Sequence, residues 1–157
     1  MIAKVIVDVP LMQTDKPYSY QIPSEFEDMI EAGIRVHVPF GKANRLIQGI
    51  VIEVLEVIDT TEELKAIVEV LDYTPVLNKE QFWLADQLRK SVFSYKITIL
   101  KTMLPSLLNS SYDKILYPQP SLDLATKVKL FGKKNEVAFY SLDVADQALV
   151  MRLVRKG

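Results

Sequence analysis

GIRVHVPFGKANRLIQGIVIEV, running from Gly33 to Val54, holds two apolar stretches separated by a short polar and basic break. Ile34, Val36 and Val38 alternate with Arg35 and His37, the period of a strand with one buried face. A second strand runs from about Ile47 to Val57. A hairpin that only has to close does so with Asn-Gly or Asp-Gly, which adopt positive φ cheaply. Here the turn spends Pro39, Phe40 and Gly41 and then two cations, Lys42 and Arg45. We read the hairpin as a scaffold that holds a loop toward a ligand: glycine lets backbone approach closely, and the cations can meet phosphates. A plain solvated loop is the alternative.

Outward from the hairpin the same period recurs. Val5, Val7 and Val9 alternate with Lys4, Ile6 and Asp8 until Pro10, and Tyr18, Tyr20 and Ile22 form a second short strand after a turn at Thr14 to Pro17. Ser24 and Glu27 read as a capping box opening a short helix with Phe26, Met29 and Ile30, stopped by Gly33. Asp59 to Glu63 reads as an acidic loop and Leu64 to Leu71 as a further strand. About five strands and a helix imply an α+β fold with a small, curved, partly barrel-like sheet. Asn78 caps a helix carrying Phe82, Trp83, Ala85, Leu88 and Val92, and a second helix runs from about Ile97 to Leu104; the pair is expected to cover the sheet.

Asn109 to Ser121 is polar, holds Pro118 and Pro120, and reads as a linker after a domain spanning residues 1–108. In residues 122–157, Leu122 to Phe131 reads as a helix, Glu136 to Tyr140 as a short strand, and Ser141 as the cap of a last helix with Val144, Ala148, Met151 and Leu153. Two helices and a strand bury too little to stand alone, so this part is expected to be a domain cut short.

The 157 residues are 49% apolar and 25% charged, a globular composition. Nineteen basic and 20 acidic residues nearly cancel, so a polyanion must be met by a local patch. The absence of cysteine removes disulfides, thiolate zinc sites and cysteine nucleophiles, and fits a reducing cytoplasm. The N-terminal apolar run is broken by Lys4 and Asp8, which neither a signal peptide nor a membrane span tolerates, so a cytoplasmic location is expected.

Catalysis leaves converging titratable groups, and none is legible. His37, the one histidine, lies on the polar strand face with no acid or nucleophile near it in sequence and reads as a solvated imidazole. Neither Phe40-Gly41-Lys42 nor Phe131-Gly132-Lys133 has the glycine spacing of a phosphate loop, and Glu62-Glu63 and Asp143/Asp146 lack further metal ligands. Binding features remain. Tyr18 and Tyr20 offer faces for a nucleobase, with core packing the alternative and favoured for Tyr20. Lys65 follows the acidic loop and by itself is an ordinary surface lysine.

Taken together, "VIVDVPL", "KPYSYQIP", "GIRVHVPFGKANRLIQGIVIEV", "ELKAIVEVLDYTPVL" and "MLP" resemble the N-terminal region of the primosomal protein N′ family, the PriA replication-restart helicases, over about residues 2–108. The resemblance implies an OB-like DNA-binding domain that captures the 3′ end of the nascent leading strand at a stalled fork. By motif, Tyr18, Ser19, Gly41 and Lys65 would form the pocket for the terminal nucleotide, with Lys42 and Arg45 on backbone phosphates and any side chain at Gly41 blocking the nucleotide. Ser19 stands where many relatives carry aspartate, and a hydroxyl bonds a sugar or base more weakly than a carboxylate does. Ser91-Val92 stands where relatives carry adjacent aromatics. The resemblance places part of a winged-helix domain after the linker. It places the ATP, Mg2+ and zinc sites in a helicase core further along, so no cofactor is expected here. Single-stranded-DNA-binding protein and the primosome helicase-loading proteins are the implied partners beside DNA. A chain of this kind binds DNA without unwinding it. The competing reading is a protein-interaction module anchored by Tyr18 and Phe40.

Overall fold

A computed structural model describes residues 1–56, 63–109 and 114–156. The acidic loop expected at Asp59 to Glu63 lies outside them except for Glu63. By spatial contact the chain divides into two compact units, Met1–Asn109 and Ser110–Gly157.

The first unit is built on β1 (Ile2–Val7), β2 (Tyr18–Gln21), β3 (Arg35–Phe40), β4 (Arg45–Leu55) and β5 (Glu69–Val70). They form one antiparallel sheet in the order β2-β1-β4-β3-β5. Alternation decides the faces. Ala3, Val5, Val7, Val36, Val38 and Val51 are all fully buried. Ile6 and Ile50 join Leu77 and the buried residues of α1 (Lys79–Ser91) and α2 (Lys96–Thr102), among them Ala85, Ile97 and Leu100. The helix pair therefore covers one face of the sheet. Asn78 caps α1 reciprocally with Gln81, each side-chain oxygen accepting the other's backbone N–H at 2.9 Å.

The stretch expected as one strand, Leu64 to Leu71, changes partner along its length. Gln21 N–H donates to the Lys65 carbonyl (2.9 Å) and Ile67 N–H to that of Gln21 (3.0 Å); at the next residue Val68 N–H donates to the His37 carbonyl (3.0 Å), and β5 pairs with β3. A segment bonded first to one edge strand and then to the other cannot remain in a single ladder, so only Glu69–Val70 is regular strand. Its course ties together the two ends of the sheet.

The expected helix after Ser24 is reduced to a 3-10 turn, Ser24–Phe26. The Ser24 hydroxyl donates to the adjacent Glu25 carboxylate (3.3 Å) instead of capping, and Pro23 occupies the cap position. No side chain therefore caps the first turn. Phe26, Met29 and Ile30 are buried nonetheless.

In the second unit β6 (Ile115–Leu116) pairs with β7 (Val137–Ala138), so part of the polar stretch 109–121 lies in a sheet. Between them runs α3 (Leu124–Phe131), and α4 (Val144–Lys156) follows. Asp143, not Ser141, starts α4: its carboxylate accepts Asp146 N–H at 2.8 Å, while the Ser141 hydroxyl donates back to the Ala138 carbonyl at 2.6 Å. The side chain three residues before Asp146 has the geometry for the cap, and Ser141 lies too far upstream. Among the described residues no helix is long and apolar enough to cross a membrane.

Candidate functional site

Where the segment 65–70 closes on the sheet, the ends of three elements surround a cleft of about 510 Å³, within the usual range of roughly 300–1,000 Å³ for ligand sites. β2 supplies Tyr18, Ser19 and Tyr20; the β3–β4 turn supplies Phe40, Gly41 and Lys42; the third wall is Glu63, Leu64 and Lys65.

The aromatic wall is ordered by its own packing. Tyr18 and Phe40 meet edge to face, with centroids 5.0 Å apart and planes at 85°. Lys16 Nζ stands 5.7 Å from the Tyr18 ring centre. Tyr20 is 3% exposed and belongs to the core, its hydroxyl donating to the Pro39 carbonyl at 3.3 Å. Burial, and secondarily the neighbouring Tyr18, pushes its phenol up to about 12. The proton is thus held more tightly in the folded chain than in the unfolded one. The resulting stability is complete below the ordinary value near 10 and is lost as pH rises through 12. Urea midpoints measured across that interval are expected to fall by an amount equivalent to about 2–3 kcal/mol more in the parent than in Tyr20→Phe, which has no phenol to ionise.

Gly41 has φ +71°, and a Cβ there meets nothing within 4 Å. The unliganded protein itself therefore leaves room for a side chain; the positive φ is what demands glycine in the free state. The Lys65 ammonium donates to the Gly41 carbonyl at 2.7 Å, which ties the turn to the closing segment. Lysine at this position is a structural link as well as an exposed cation beside the cleft.

Ser19 faces away from its aromatic neighbours. Its hydroxyl accepts a hydrogen bond from Lys4 Nζ (2.8 Å), the residue opposite it in the β1–β2 register. Lys4 is a cation that sequence reasoning passed over, and cross-strand register is the signal that locates it. Tyr18, Ser19, Gly41, Lys42 and Lys65 are thus brought together. Arg45 is not: it lies exposed at the start of β4, opposite Phe40, and does not line the cleft.

His37 departs from expectation. Its Nδ1 lies 2.7 Å from Glu69 Oε2, because β5 docks on β3 with those residues in register. The partner acid is 32 residues away in sequence, out of reach of a local reading. Among the described residues no cluster of His, Asp or Glu is placed to hold a metal ion.

Residues 4–105 match the PriA 3′DNA-binding domain (3′BD) family. The chain is 39% identical to the replication restart protein PriA of Bacillus subtilis (strain 168) over 159 residues, an alignment covering 99% of this chain and 19% of that protein. The chain therefore spans about a fifth of the length of the curated relative it matches.

Proposed function

The chain belongs to the PriA 3′DNA-binding domain family, and from that premise we propose that it holds the 3′ end of a DNA strand in the cleft of its first unit. The observation that carries this reading is the convergence of the Tyr18–Phe40 corner, Gly41, Lys42 and Lys65 on one cavity. The terminal base would rest against the aromatic corner, and the lysines would meet its phosphates. Ser19 would stand beside the terminal nucleotide on the β2 wall of the cleft, its hydroxyl being engaged by Lys4. Arg45 would contact backbone further out. An end is recognised because the cleft receives one nucleotide, with no base edge being read.

The strand so captured would be the nascent leading strand at a stalled fork, within a longer replication-restart helicase. Single-stranded-DNA-binding protein and the helicase-loading proteins would work beside it. ATP, Mg2+ and zinc would belong to other parts of that protein. We assign residues 1–108 to an OB-like 3′-end-binding domain, 109–121 to a linker and 122–157 to part of a winged-helix domain. The protein would act in the cytoplasm.

Fluorescence anisotropy with a labelled single strand, and with the same sequence closed into a circle, tests the reading. The linear strand is expected to bind about tenfold more tightly, and Tyr18→Ala to reduce that preference, in line with the worth of one stacked base. Lys65→Met is expected to weaken binding and to flatten its salt dependence. Equal binding of circle and linear strand would overturn end capture; no binding of either would favour a protein-docking module.

A further inference from the structure

The connection between β1 and β2 is tied down residue by residue until it reaches the side chain of Lys16. The Thr14 hydroxyl donates back to the Val9 carbonyl and accepts Leu11 N–H at 3.3 Å. The Asp15 carboxylate pairs with Arg89 at 2.7 Å and accepts Lys96 N–H at 2.9 Å, which fastens it to the last turn of α1 and the first residue of α2. Lys16 N–H donates to the Thr14 carbonyl at 2.8 Å, and Pro17 restricts the backbone of the lysine before it. The Lys16 side chain is exposed and forms no ion pair among the described residues. Its sequence neighbour Asp15 is already engaged by Arg89.

Within these few residues the chain passes from the helix side of the sheet to the cleft side. Ile6 packs with the helix pair, whereas Tyr18 is in register with Val5, whose side chain points to the opposite face. Lys16 follows Tyr18: its ammonium stands 5.7 Å from the centre of a ring that lines the cleft. An exposed lysine usually loses much of any contact to the ordering of its own chain. Here the backbone is already ordered and the aromatic face holds the ammonium. The other walls are electrically different. Glu63 places a carboxylate on the wall it shares with Lys65, and the Lys65 ammonium is bonded to the Gly41 carbonyl at 2.7 Å. A polyanion leaving the cleft is repelled on the Glu63 side and drawn to the uncompensated cation beside Tyr18.

We propose that Lys16 holds a phosphate of the same single strand whose terminal nucleotide occupies the cleft, at a linkage beyond the one met by Lys65, and so sets the side on which the strand leaves. The proposal rests on the DNA reading above. It makes the loop between β1 and β2 part of the binding surface, with Asp15 as the residue that positions it.

The test is a set of anisotropy titrations with a short labelled strand bearing a free 3′ end. They are repeated with each of the linkages nearest that end replaced in turn by an uncharged methylphosphonate. Lys16→Met is expected to weaken the unmodified strand about three- to fivefold, the range of an exposed ion pair, and to lower the salt slope by about 0.7. Lys16→Arg is expected to bind as the parent does. Neutralising one linkage should weaken the parent by the same factor and leave Lys16→Met unaffected, and that linkage should differ from the one at which Lys65→Met behaves in this way. Equal loss with every strand would mean that Lys16 acts only through the Tyr18 ring, and would overturn the proposal. Coupling of both lysines to a single linkage overturns it as well. Unchanged affinity of Lys16→Met, with Tyr18→Ala still harmful, overturns it and leaves the cleft reading intact. If the parent binds linear and circular strands equally, the end-capture reading and this proposal fall together.

Discussion

Gly33→Ala is expected to cost about 4 kcal/mol or more in folding stability, at the extreme of single substitutions. Gly33 has φ +100°, and a Cβ there would lie 1.9 Å from the Leu77 carbonyl oxygen and 2.9 Å from Pro75 Cβ. The backbone has no slack to yield. Gly33 N–H donates to the Val51 carbonyl at 2.8 Å, and the Gly33 carbonyl accepts Val76 N–H at 3.0 Å. Leu77 is 1% exposed and precedes the Asn78 cap of α1. Moving residues 75–77 therefore disturbs both the core and the first turn of a helix, while moving Gly33 breaks its bond to β4. Gly41→Ala supplies the contrast. It has φ +71° with open space around the missing Cβ, so only the left-handed strain applies, about 1–2 kcal/mol. Urea unfolding of the two variants separates collision from strain. Equal costs would mean that the Leu77 carbonyl moves aside freely, and the steric account would fail.

Local periodicity made much of the first unit legible. The valines of β1 and β3 alternate because one face of each strand is buried, and Asn78 announces the start of α1. What resisted reading depends on partners distant in sequence. Leu64 to Leu71 has the composition of a strand, but the switch from Gln21 to β3 is a property of sheet closure. Arg35 and His37 sit in polar phase, as a solvated face would, yet Asp72 buries one and Glu69 engages the other. Ser24 failed in the opposite sense: a local capping pattern was present, but its hydroxyl turns to Glu25 and Pro23 takes the cap position.

The candidate site divides in the same way. Gly41 and Lys42 are visible in a turn that is costlier than closure requires, Tyr18 as an aromatic face and Lys65 as a lysine after the acidic stretch, while the resemblance to a family adds Ser19 and gives Lys65 a role. That Lys65 reaches the Gly41 carbonyl follows only once residues 65–70 are laid across both sheet edges. Lys4 appears through register with Ser19, and register with Phe40 sets Arg45 outside the cleft.

Asp72→Ala is expected to destabilise the fold by about 3–5 kcal/mol, because it leaves a buried guanidinium without its anion. The Asp72 carboxylate accepts from Arg35 three ways: from the backbone N–H at 2.9 Å, from Nε at 3.0 Å and from Nη2 at 2.7 Å. The two side chains are 4% and 6% exposed. Arg35 also donates to the Leu108 carbonyl, and its own carbonyl accepts Leu71 N–H at 2.9 Å. One residue at the start of β3 therefore fastens the end of the closing segment and the last turn of the first unit. Asp72→Asn retains acceptor geometry on one oxygen and is expected to fall between the parent and alanine. The decisive comparison is the double variant Arg35→Met with Asp72→Leu, which removes both charges and restores apolar volume. If the cost of Asp72→Ala comes from an orphaned charge, the double variant should recover most of it, since buried pairs are often replaced by hydrocarbon with little loss. If the cost comes from the three directed bonds that hold residue 72 against β3, the double variant should remain as unstable as the single one. In that case sheet closure, and with it the position of Lys65, depends on hydrogen-bond direction, and linear-strand affinity should drop alongside the urea midpoint.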